Sequence, residues 1–570
     1  MGKVRGNVGG DVGGWSRRDF LKRAGAGAAV APLAACSSSA VLDGLRAGVN
    51  PFNHGVASGD PLTDRVMLWT RVTPPPGMTL DIPATVTVAD DPALQINARA
   101  LAVTARADRD WTVKHDATGL IPGATYYYRF DALGFSSPVG RTRTAGLNPQ
   151  RMRMAVVSCS SYPDGFFNAY ARIAERADLD LVLHLGDYLY ETGSAGEVGR
   201  PHEPRREILL LEDYRERHAQ YKTDPDLQEA HRQHPWIVVW DDHESTNNAR
   251  RDSAQNHTEG AIADGGEGIW QVRKGFSQQA YDEWMPIRLP EPGNPNRIWR
   301  QFQFGQLMDL WMLDTRLFDR DDELRSNDRD SFDPDRRMIG PEQRDWLLGG
   351  LSTSTATWKM LGQQVMFGQF KLTPLPDLPL GALARLPIPL LLASGEGLTD
   401  IYLNPDQWDG YQAERRAIFD HLSAQNIANT VVLTGDIHSS WVMDLTPDPE
   451  SLLGYNALTG AGSFAVEFVG TSVTSPGLDQ LAPVPNLANA LRLLNPHMQY
   501  IEVTRRGYLL MDITPTETVG EYWYVPTVAV PDSSETFAIG YATAAGSNHI
   551  TRQPRREPLP PRLDAPPRAP

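Results

Sequence analysis

The amino-acid sequence predicts an α/β protein in which a sheet covered by helices follows a small all-β sandwich domain. Three observations support this prediction. Short strand-like segments separated by proline and glycine fill residues 50–145, whereas strand-like and helix-like segments alternate over residues 151–520. Clusters of polar residues follow directly after four apolar segments of the second region. Polar residues at strand ends are typical of the ligand-binding edge of an α/β sheet.

The first region has the pattern of a small antiparallel sandwich of the fibronectin or immunoglobulin type. β-branched and aromatic residues alternate in its strand-like segments, and breaks such as Pro74–Gly77 separate them. The clearest segments are Val66–Val72, Ala84–Val88 and Thr125–Phe130. No cluster of catalytic residue types lies in them. We therefore interpret this domain as a structural or positioning module.

The second region alternates between strands and helices. Apolar residues at intervals of three and four predict a helix over Phe166–Ala177. A second helix, Gln412–Leu422, directly precedes a valine-rich strand that begins at Val431. Residues 306–313 are predicted to form another strand, which leads into Asp314-Thr315-Arg316. This order of elements predicts a sheet with helices on its faces.

Four apolar segments of this region each lead into a polar cluster. They are Met154–Val157 before Ser158-Cys159-Ser160-Ser161, Leu181–Leu185 before Gly186-Asp187, Trp236–Trp240 before Asp241-Asp242-His243-Glu244, and Val431–Thr434 before Gly435-Asp436-Ile437-His438. Loops that leave the carboxyl ends of neighbouring strands converge on one point. Metal-activated hydrolysis needs oxygen and imidazole ligands that converge in this way. The sequence therefore predicts a metal-dependent hydrolytic site.

Composition and charge exclude some classes of function. The chain has 570 residues, of which 41% are hydrophobic and 22% are charged, as in an ordinary globular protein with a large core. Its formal net charge of −16 argues against a nucleic-acid-binding protein, whose surface would be basic. Outside the N-terminus no apolar segment is long enough to predict a membrane-spanning helix.

Residues 1–36 have the features of an export signal. Ser16–Lys22 matches a twin-arginine motif, and a short, weakly apolar stretch from Ala24 to Ala35 follows it. Because this pathway exports folded proteins, we expect the twin-arginine export machinery as a partner. The expected location is the periplasm, the extracellular space or the cell surface.

Cys36 and Cys159 are the only cysteines of the chain. Leu33-Ala34-Ala35-Cys36 resembles a lipoprotein processing box, in which Cys36 would carry a lipid anchor, and cleavage without lipidation is the alternative. A lone Cys159 thiol in an oxidising compartment requires an explanation. A role for Cys159 as a metal ligand would provide one.

Two segments have an unusual composition. Leu372–Leu392 contains five prolines and many leucines, and it is interpreted either as an active-site lid or interfacial loop or as a packed insertion. Residues 551–570 contain seven prolines and five arginines, so we expect an extended or disordered tail.

Asp187 and Tyr190 are the first candidate ligands. A carboxylate at a strand end can bridge two cations because it offers two oxygens. The alternative is that Asp187, which follows Gly186, only closes a turn. Tyr190 lies three residues later and is either a phenolate ligand of a ferric ion or an ordinary buried aromatic residue.

Asp241 and Asp242 are adjacent carboxylates at the end of an apolar segment. Their burial is unfavourable unless a metal or hydrogen bonds compensate the charge. Asn247 and Asn248 follow closely and are expected either to supply neutral oxygens or to hold the ligands in place. In the fourth cluster, the alternation of Asp436 and His438 allows both side chains to point in one direction.

Five stretches of the chain together resemble one known family. They are Gly55–Pro61, Ser158-Cys159, Leu185–Glu191, Trp240–Glu244 and Gly435–His438. In combination they resemble the alkaline phosphatase D family of metallophosphoesterases, usually called PhoD, over roughly residues 50–520. The resemblance implies a metallophosphoesterase β-sandwich flanked by helices and secreted phosphomonoesterase or phosphodiesterase activity. It also implies Fe³⁺ and Ca²⁺ as cofactors.

The resemblance also implies the ligands of the two metals. The implied iron ligands are Cys159, Asp187 and Tyr190, completed by His438 or its neighbours. The implied oxygen ligands of the second metal are Asp187, Asp242 and Asp436, with Asp241 as a further candidate. The usual Gly-His-x-His ending of the superfamily is Gly-Asp-Ile-His here, and this change favours a harder metal such as calcium. A further ligand has no clear match, and Gln363 or Gln364 lies near its expected place.

Three residues are implied in the catalytic steps. His243 would protonate the departing alkoxide, and Asp242 would replace the asparagine ligand of the wider superfamily. Arg316 would bind a phosphate oxygen in a bidentate manner, although a structural pair with Asp314 is the alternative. The expected substrate is a small phosphoester. Other hypotheses are a phospholipase D-like diesterase and a surface protein that binds phosphate or metal without turnover.

Overall fold

The computed structural model of the chain describes residues 49–324, 329–372, 401–402, 404–451, 453–477 and 487–570. The expected export signal of residues 1–36, with Cys36, lies outside the described residues. Residues 373–392 of the proline- and leucine-rich segment also lie outside them.

The described residues form seven α-helices and 23 strands. The helices are α1 Asn168–Glu175, α2 Leu211–Tyr221, α3 Pro225–Gln233, α4 Trp270–Trp284, α5 Gly340–Thr353, α6 Gln412–Ala424 and α7 Leu487–Leu494. The strands of the first half are β1 Val56–Gly59, β2 Arg65–Arg71, β3 Ile82–Ala89, β4 Arg99–Ala105, β5 Thr112–Thr118, β6 Thr125–Ala132, β7 Phe135–Ser136, β8 Gly140–Arg143, β9 Met152–Val157, β10 Leu181–His184 and β11 Pro235–Val238. Those of the second half are β12 Arg300–Phe304, β13 Met308–Met312, β14 Trp358–Gly362, β15 Lys371–Leu372, β16 Ile401–Tyr402, β17 Thr430–Thr434, β18 Ser440–Leu445, β19 Ala465–Val469, β20 Met498–Glu502, β21 Gly507–Ile513, β22 Glu517–Tyr524 and β23 Thr536–Ala544.

Two large sheets form the body of the protein. One has the strand order β23-β22-β21-β9-β10-β11-β1-β2-β5, and the other has the order β12-β13-β14-β17-β19-β18-β20. The largest apolar cluster of the described residues contains Val156 and Leu183 of the first sheet together with Leu310, Met360 and Leu433 of the second. The sheets therefore form a sandwich, and helices accompany it. This architecture confirms the predicted fold class.

Parallel strands occupy the centre of both sheets. β10 pairs in parallel with β9 and β11, and β17 pairs in parallel with β14 and β19. Every residue of β10, β11 and β17 is buried, which explains why these strands are continuous apolar runs rather than alternating ones. The loops that follow them leave from the carboxyl edge of each sheet.

The strands of residues 50–145, where the sequence predicts an N-terminal sandwich, lie in two layers, one of which continues into a large sheet of the body. β3, β4, β6, β7 and β8 form one layer, whereas β1, β2 and β5 of the other layer belong to the nine-stranded sheet. β1 pairs in parallel with β11, with Gly59 opposite Trp236. A Cβ atom on Gly59 would lie 2.6 Å from the Trp236 carbonyl oxygen, so this close pairing needs glycine.

The predicted elements of the second region are present with shifted ends. The first predicted helix is shorter than Phe166–Ala177, since α1 is Asn168–Glu175. The second predicted helix lies within α6, and the strand predicted over residues 306–313 is β13. None of the described helices is long and apolar enough to cross a membrane.

The proline- and arginine-rich tail of residues 551–570 forms neither a helix nor a strand. It is attached to the domain by hydrogen bonds, because Gln233 exchanges two of 3.0 Å with the backbone of Ala569, and Tyr127 donates one of 2.6 Å to the Pro567 carbonyl. Arg562 pairs with Asp180 at 2.9 Å. The tail is therefore extended and attached to the domain, which agrees with the first of the two alternatives, extended or disordered, that the sequence left open.

Candidate metal centre

The predicted ligands lie on loops at one edge of the sandwich. Cys159 follows β9, Asp187 follows β10, and Asp436 follows β17 within two or three residues. Cys159, Asp187, Asp436 and His438 have φ angles of 59°, 54°, 62° and 53°. Such left-handed backbone is unfavourable for residues other than glycine and is concentrated at functional sites.

One group of ligand atoms comes from Cys159, Asp187 and His438, which lie within 4.8 Å of one another. The hydroxyl of Tyr190 joins them, because its Oη atom is 3.0 Å from Asp187 Oδ2 and 3.1 Å from His438 Nε2. The structure thus brings together the four residues that were expected to hold the first metal.

The acceptor atoms of this group outnumber the hydrogen-bond donors that reach them. His438 Nδ1 lies 2.7 Å from the Pro476 carbonyl, which can only accept, so Nδ1 donates and Nε2 of the neutral imidazole carries a lone pair. The Tyr190 phenol therefore has one hydrogen for both Asp187 Oδ2 and His438 Nε2. Asp187 Oδ1 is buried and has no hydrogen-bond partner among the described residues. A cation fits this arrangement because it satisfies lone pairs that no donor reaches.

The electrostatics of Cys159 and Tyr190 also fit a metal. Burial, with a contribution from the Asp187 carboxylate, raises the pKa of both side chains well above the usual range. Both groups therefore hold their protons unless a nearby cation compensates the charge. Binding of a metal by Cys159 and Tyr190 should release protons.

A second set of ligand atoms extends from the first. Asp187, Asp242 and His243 form one group within 4.8 Å, and Asp241, Asp242 and Asp436 form another. Asp187 belongs both to the group with Cys159 and His438 and to the group with Asp242 and His243. A carboxylate that bridges two metals requires this position. Burial raises the pKa of Asp436 to about 6, and it raises the pKa of Asp241 well above its usual range.

Arg316 has a different environment from the one predicted. Its guanidinium is fully buried and contacts Asp241 at 2.5 Å, Asp406 at 2.8 Å and Asp436 at 2.7 Å. Asp314 accepts hydrogen bonds from the backbone of Arg316 and Leu317 and does not contact this guanidinium. The guanidinium is therefore a buried counter-charge to three aspartates rather than a partner of Asp314. Its contact with a phosphate oxygen stays a prediction.

Gln363 and Gln364 are not available as ligands. Gln364 Nε2 donates to the carbonyls of Trp240 and Leu313, and its Oε1 accepts from Thr315. Gln363 Oε1 accepts from the indole of Trp408. Because these amides already have hydrogen-bond partners, neither glutamine supplies the further metal ligand for which the sequence gave no clear match.

His243 is held by Glu191. The imidazole Nδ1 lies 2.6 Å from Glu191 Oε2, and the centre of its ring lies 4.2 Å from that of Tyr190, with the two rings tilted by 35°. Burial would lower the pKa of His243, but the carboxylates of Glu191 and Asp242 outweigh burial and raise the pKa well above its usual range. The His243 side chain is 16% exposed, so a protonated imidazole borders the solvent-facing side of the site.

Asn247 and Asn248 support this arrangement through their backbone. The Asn247 amide donates to Glu191 Oε1 at 2.8 Å, and the Asn248 amide donates to Asp242 Oδ2 at 2.6 Å. Both side-chain amides donate to Gln255 Oε1 at 2.9 Å. These contacts fit the role of holding ligands in place, one of the two roles considered for this pair.

Sequence reasoning missed two residues that organise the loops. Glu244 accepts hydrogen bonds from the backbone amides of Asp187, Tyr188 and Asp241 at 3.1, 2.6 and 2.8 Å. Ser475 bonds to Tyr190 Oη at 2.6 Å and to the Cys159 carbonyl at 2.8 Å. Glu244 lies in the Trp240–Glu244 motif, so the sequence offered a signal for its role. Ser475 lies in a serine- and threonine-rich loop that has no pattern typical of metal ligands.

Comparison with known proteins agrees with this geometry. A family model described as PhoD-like phosphatase matches residues 154–522, and a model of the N-terminal domain of PhoD-like phosphatases matches residues 36–146. Alkaline phosphatase D of Bacillus subtilis (strain 168) is 35% identical over 547 residues, which cover 91% of this chain and 86% of that protein.

Solved structures show the same similarity. A structure of PhoD superposes with a TM-score of 0.75 at 34% identity and covers 88% of this chain and 92% of its own. The purple acid phosphatase PPD1 from yellow lupin superposes with a TM-score of 0.50 at 12% identity, over 86% of this chain and 74% of its own. At that identity, the plant enzyme supports the fold alone.

Proposed function

The chain belongs to the PhoD-like phosphatase family, and on this premise we propose that it hydrolyses phosphoric esters at two adjacent metal centres that share Asp187. Membership of this family makes the chain a phosphoester hydrolase. The observation that supports the metal centres is the excess of lone pairs around Tyr190 Oη, where Asp187 and His438 both need a partner.

The first centre is proposed to hold Fe³⁺ between Cys159, Asp187, Tyr190 and His438. A thiolate and an imidazole are ligands that select transition metals rather than calcium or magnesium. The second centre is proposed to hold Ca²⁺, because Asp187, Asp242 and Asp436 offer carboxylate oxygens, which hard cations prefer. Asp241 is a further candidate ligand, because its Oδ1 pairs with Arg316 but its Oδ2 is buried and has no hydrogen-bond partner among the described residues.

The residues of the chain have separate tasks in the proposed reaction. When bound, the two cations neutralise the charge of the phosphate and activate the attacking water. His243 donates its Nε2 proton to the departing alkoxide, while Glu191 holds Nδ1 and keeps the imidazole charged. His243 and His438 are 16% and 22% exposed, so the substrate is proposed to enter between them.

Export is proposed from the sequence of residues 1–36. The twin-arginine order of Ser16–Lys22 supports export of a folded precursor, and Cys36 is the proposed site of a lipid anchor. A precursor that is already folded could bind its metals before it leaves the cytoplasm.

Metal analysis combined with two substrates tests the proposal. Purified protein should contain iron and calcium and should hydrolyse p-nitrophenyl phosphate, its bis ester, or both. Chelation should abolish this activity, and added calcium should restore part of it. Full activity in a preparation that contains neither metal would contradict the proposal. The ratio of the two rates ranks monoester against diester as the preferred substrate.

The colour of the protein tests the first centre separately. A thiolate or phenolate bound to ferric iron absorbs visible light, which neither side chain does alone. Cys159→Ala should therefore change the absorption and lower the iron content. A variant with unchanged colour and a full iron content would remove Cys159 from the set of ligands.

A further inference from the structure

Gln407 is a buried amide beside the second proposed centre. It lies in the loop that leads into α6, and its side chain is 1% exposed. Its Nε2 atom is 3.4 Å from Asp436 Oδ2, at the long limit of a hydrogen bond. Its Oε1 atom is buried and has no hydrogen-bond partner among the described residues. An unpartnered buried oxygen is unfavourable unless something binds it.

The orientation of this amide follows from its neighbour. Asp436 Oδ2 is an acceptor, so the nitrogen of Gln407 faces it, and an exchange of Nε2 and Oε1 would bring two oxygens together. The backbone is also fixed, because the Gln407 amide donates to the Asn404 carbonyl at 3.2 Å and the preceding Asp406 pairs with Arg316 and Arg320. The free oxygen of Gln407 is thus held in one place beside Asp436.

An amide oxygen such as Oε1 of Gln407 is a suitable ligand for a hard cation. Ca²⁺ takes about six to eight oxygen ligands and accepts amide carbonyls as well as carboxylates. The carboxylates of Asp187, Asp242 and Asp436 carry three negative charges in a buried site, so a further carboxylate would add repulsion. An amide oxygen adds a ligand without adding charge.

We propose that Gln407 Oε1 is a neutral oxygen ligand of the cation that Asp242 and Asp436 hold. This inference rests on the second metal centre of the proposed function. The side-chain amides of Gln363 and Gln364 already have hydrogen-bond partners. The inference therefore assigns the missing ligand to a different glutamine, about 40 residues later in the sequence. The motifs of the sequence did not indicate it, because Gln407 belongs to none of the four strand-end clusters.

Calorimetric titration of metal-depleted protein with calcium chloride tests the assignment without any measurement of activity. Gln407→Leu keeps the approximate volume of the side chain and removes the oxygen. It should weaken calcium binding by about tenfold or more, the range typical of lost support at metal sites. Gln412→Leu is the matched control, since Gln412 is a buried glutamine that contacts Ser331 instead, and its affinity should equal that of the wild type.

Two further variants separate failure of this inference from failure of the second centre. Asp436→Asn should lose calcium binding, and Gln407→Glu, which retains an oxygen, should bind calcium more tightly than Gln407→Leu. Wild-type affinity in Gln407→Leu, or a loss in Gln407→Glu as large as in Gln407→Leu, would overturn the role of Gln407 alone. Absence of saturable calcium binding in the wild type would overturn the second centre and, with it, this assignment. Circular dichroism of each metal-free variant checks that it is folded.

Discussion

Nδ1 of His243 lies 2.6 Å from Oε2 of Glu191, a carboxylate with no exposed surface. Burial would raise the pKa of Glu191, but the charge and hydrogen bond of His243 outweigh it and lower the pKa. The two groups therefore form a charged pair. Cations bound by Asp187 and Asp242 would cancel the influence of those carboxylates on His243, whereas Glu191 would still stabilise its protonated form.

This pair predicts how the loss of His243 depends on the leaving group. His243→Ala should keep its metals while kcat falls by about 10²- to 10⁴-fold on alkyl phosphates, the usual contribution of general acid catalysis. The loss should be smaller on p-nitrophenyl esters, because that leaving group needs little protonation. Steady-state kinetics on both ester types measures the difference. Equal losses with an intact metal content would mean that His243 orients a ligand or the phosphate instead.

The burial of Arg316 among three carboxylates predicts that its replacement lowers the free energy of unfolding. Its guanidinium is buried among Asp241, Asp406 and Asp436, and removal of one partner of a buried ion pair typically costs about 3–5 kcal/mol. Arg316→Leu should lower the free energy of unfolding of metal-depleted protein by about that amount in urea titrations. Arg416→Leu removes an exposed pair with Asp420 and should change it by less than about 0.5 kcal/mol. Unchanged stability with a raised KM would instead support the predicted contact of Arg316 with phosphate.

The sequence was informative about the site wherever a ligand follows its strand directly. Asp187 and Asp436 each come two or three residues after a buried apolar strand, so local pattern was sufficient to predict that they converge. The surroundings of Arg316 were not predictable, because its three aspartates lie on three different loops. The same reason hid the pairing of β1 with β11, which joins strands about 180 residues apart in sequence.

The C-terminal tail predicts a contribution to stability that is separate from catalysis. It attaches to Asp180 and Gln233, which lie one and two residues before the amino ends of β10 and β11, opposite the ligand-bearing edge. A deletion of residues 562–570 removes several hydrogen bonds, each worth about 0.5–1.5 kcal/mol. Thermal melting should occur at a lower temperature, while kcat and KM at 25 °C stay unchanged. A truncated protein that melts like the full chain would show that the tail contributes no stability.

The lowered pKa of the buried Lys222 predicts that this residue makes the free energy of unfolding rise with pH. Burial lowers the pKa of its ammonium to about 7, and the groups that face it are Tyr188 at 3.0 Å, His231 at 3.4 Å and the ring of Trp69. Between about pH 7 and 10 the folded side chain is neutral, whereas the unfolded one is charged. The unfolded state then binds more protons, so stability increases with pH.

Comparison with Lys222→Met isolates this effect, because titrating groups common to both proteins cancel in the difference. The free energy of unfolding of the wild type should rise relative to the variant by about 1.4 kcal/mol per pH unit between pH 7 and 10. Urea titrations at pH 7, 8, 9 and 10 measure this slope. Parallel pH dependence of the two proteins would mean that the folded Lys222 is charged.

The most direct test of the two-centre account is the metal content of Asp187→Asn. Asp187 is shared between two groups of ligand atoms, so its loss should lower the content of both iron and calcium and should abolish phosphoester hydrolysis. Asp309→Asn, a buried aspartate that pairs with Ser354, is the control and should retain both metals and activity. Elemental analysis of the purified variants decides the question. An Asp187→Asn protein that retains both metals in full would contradict the shared site.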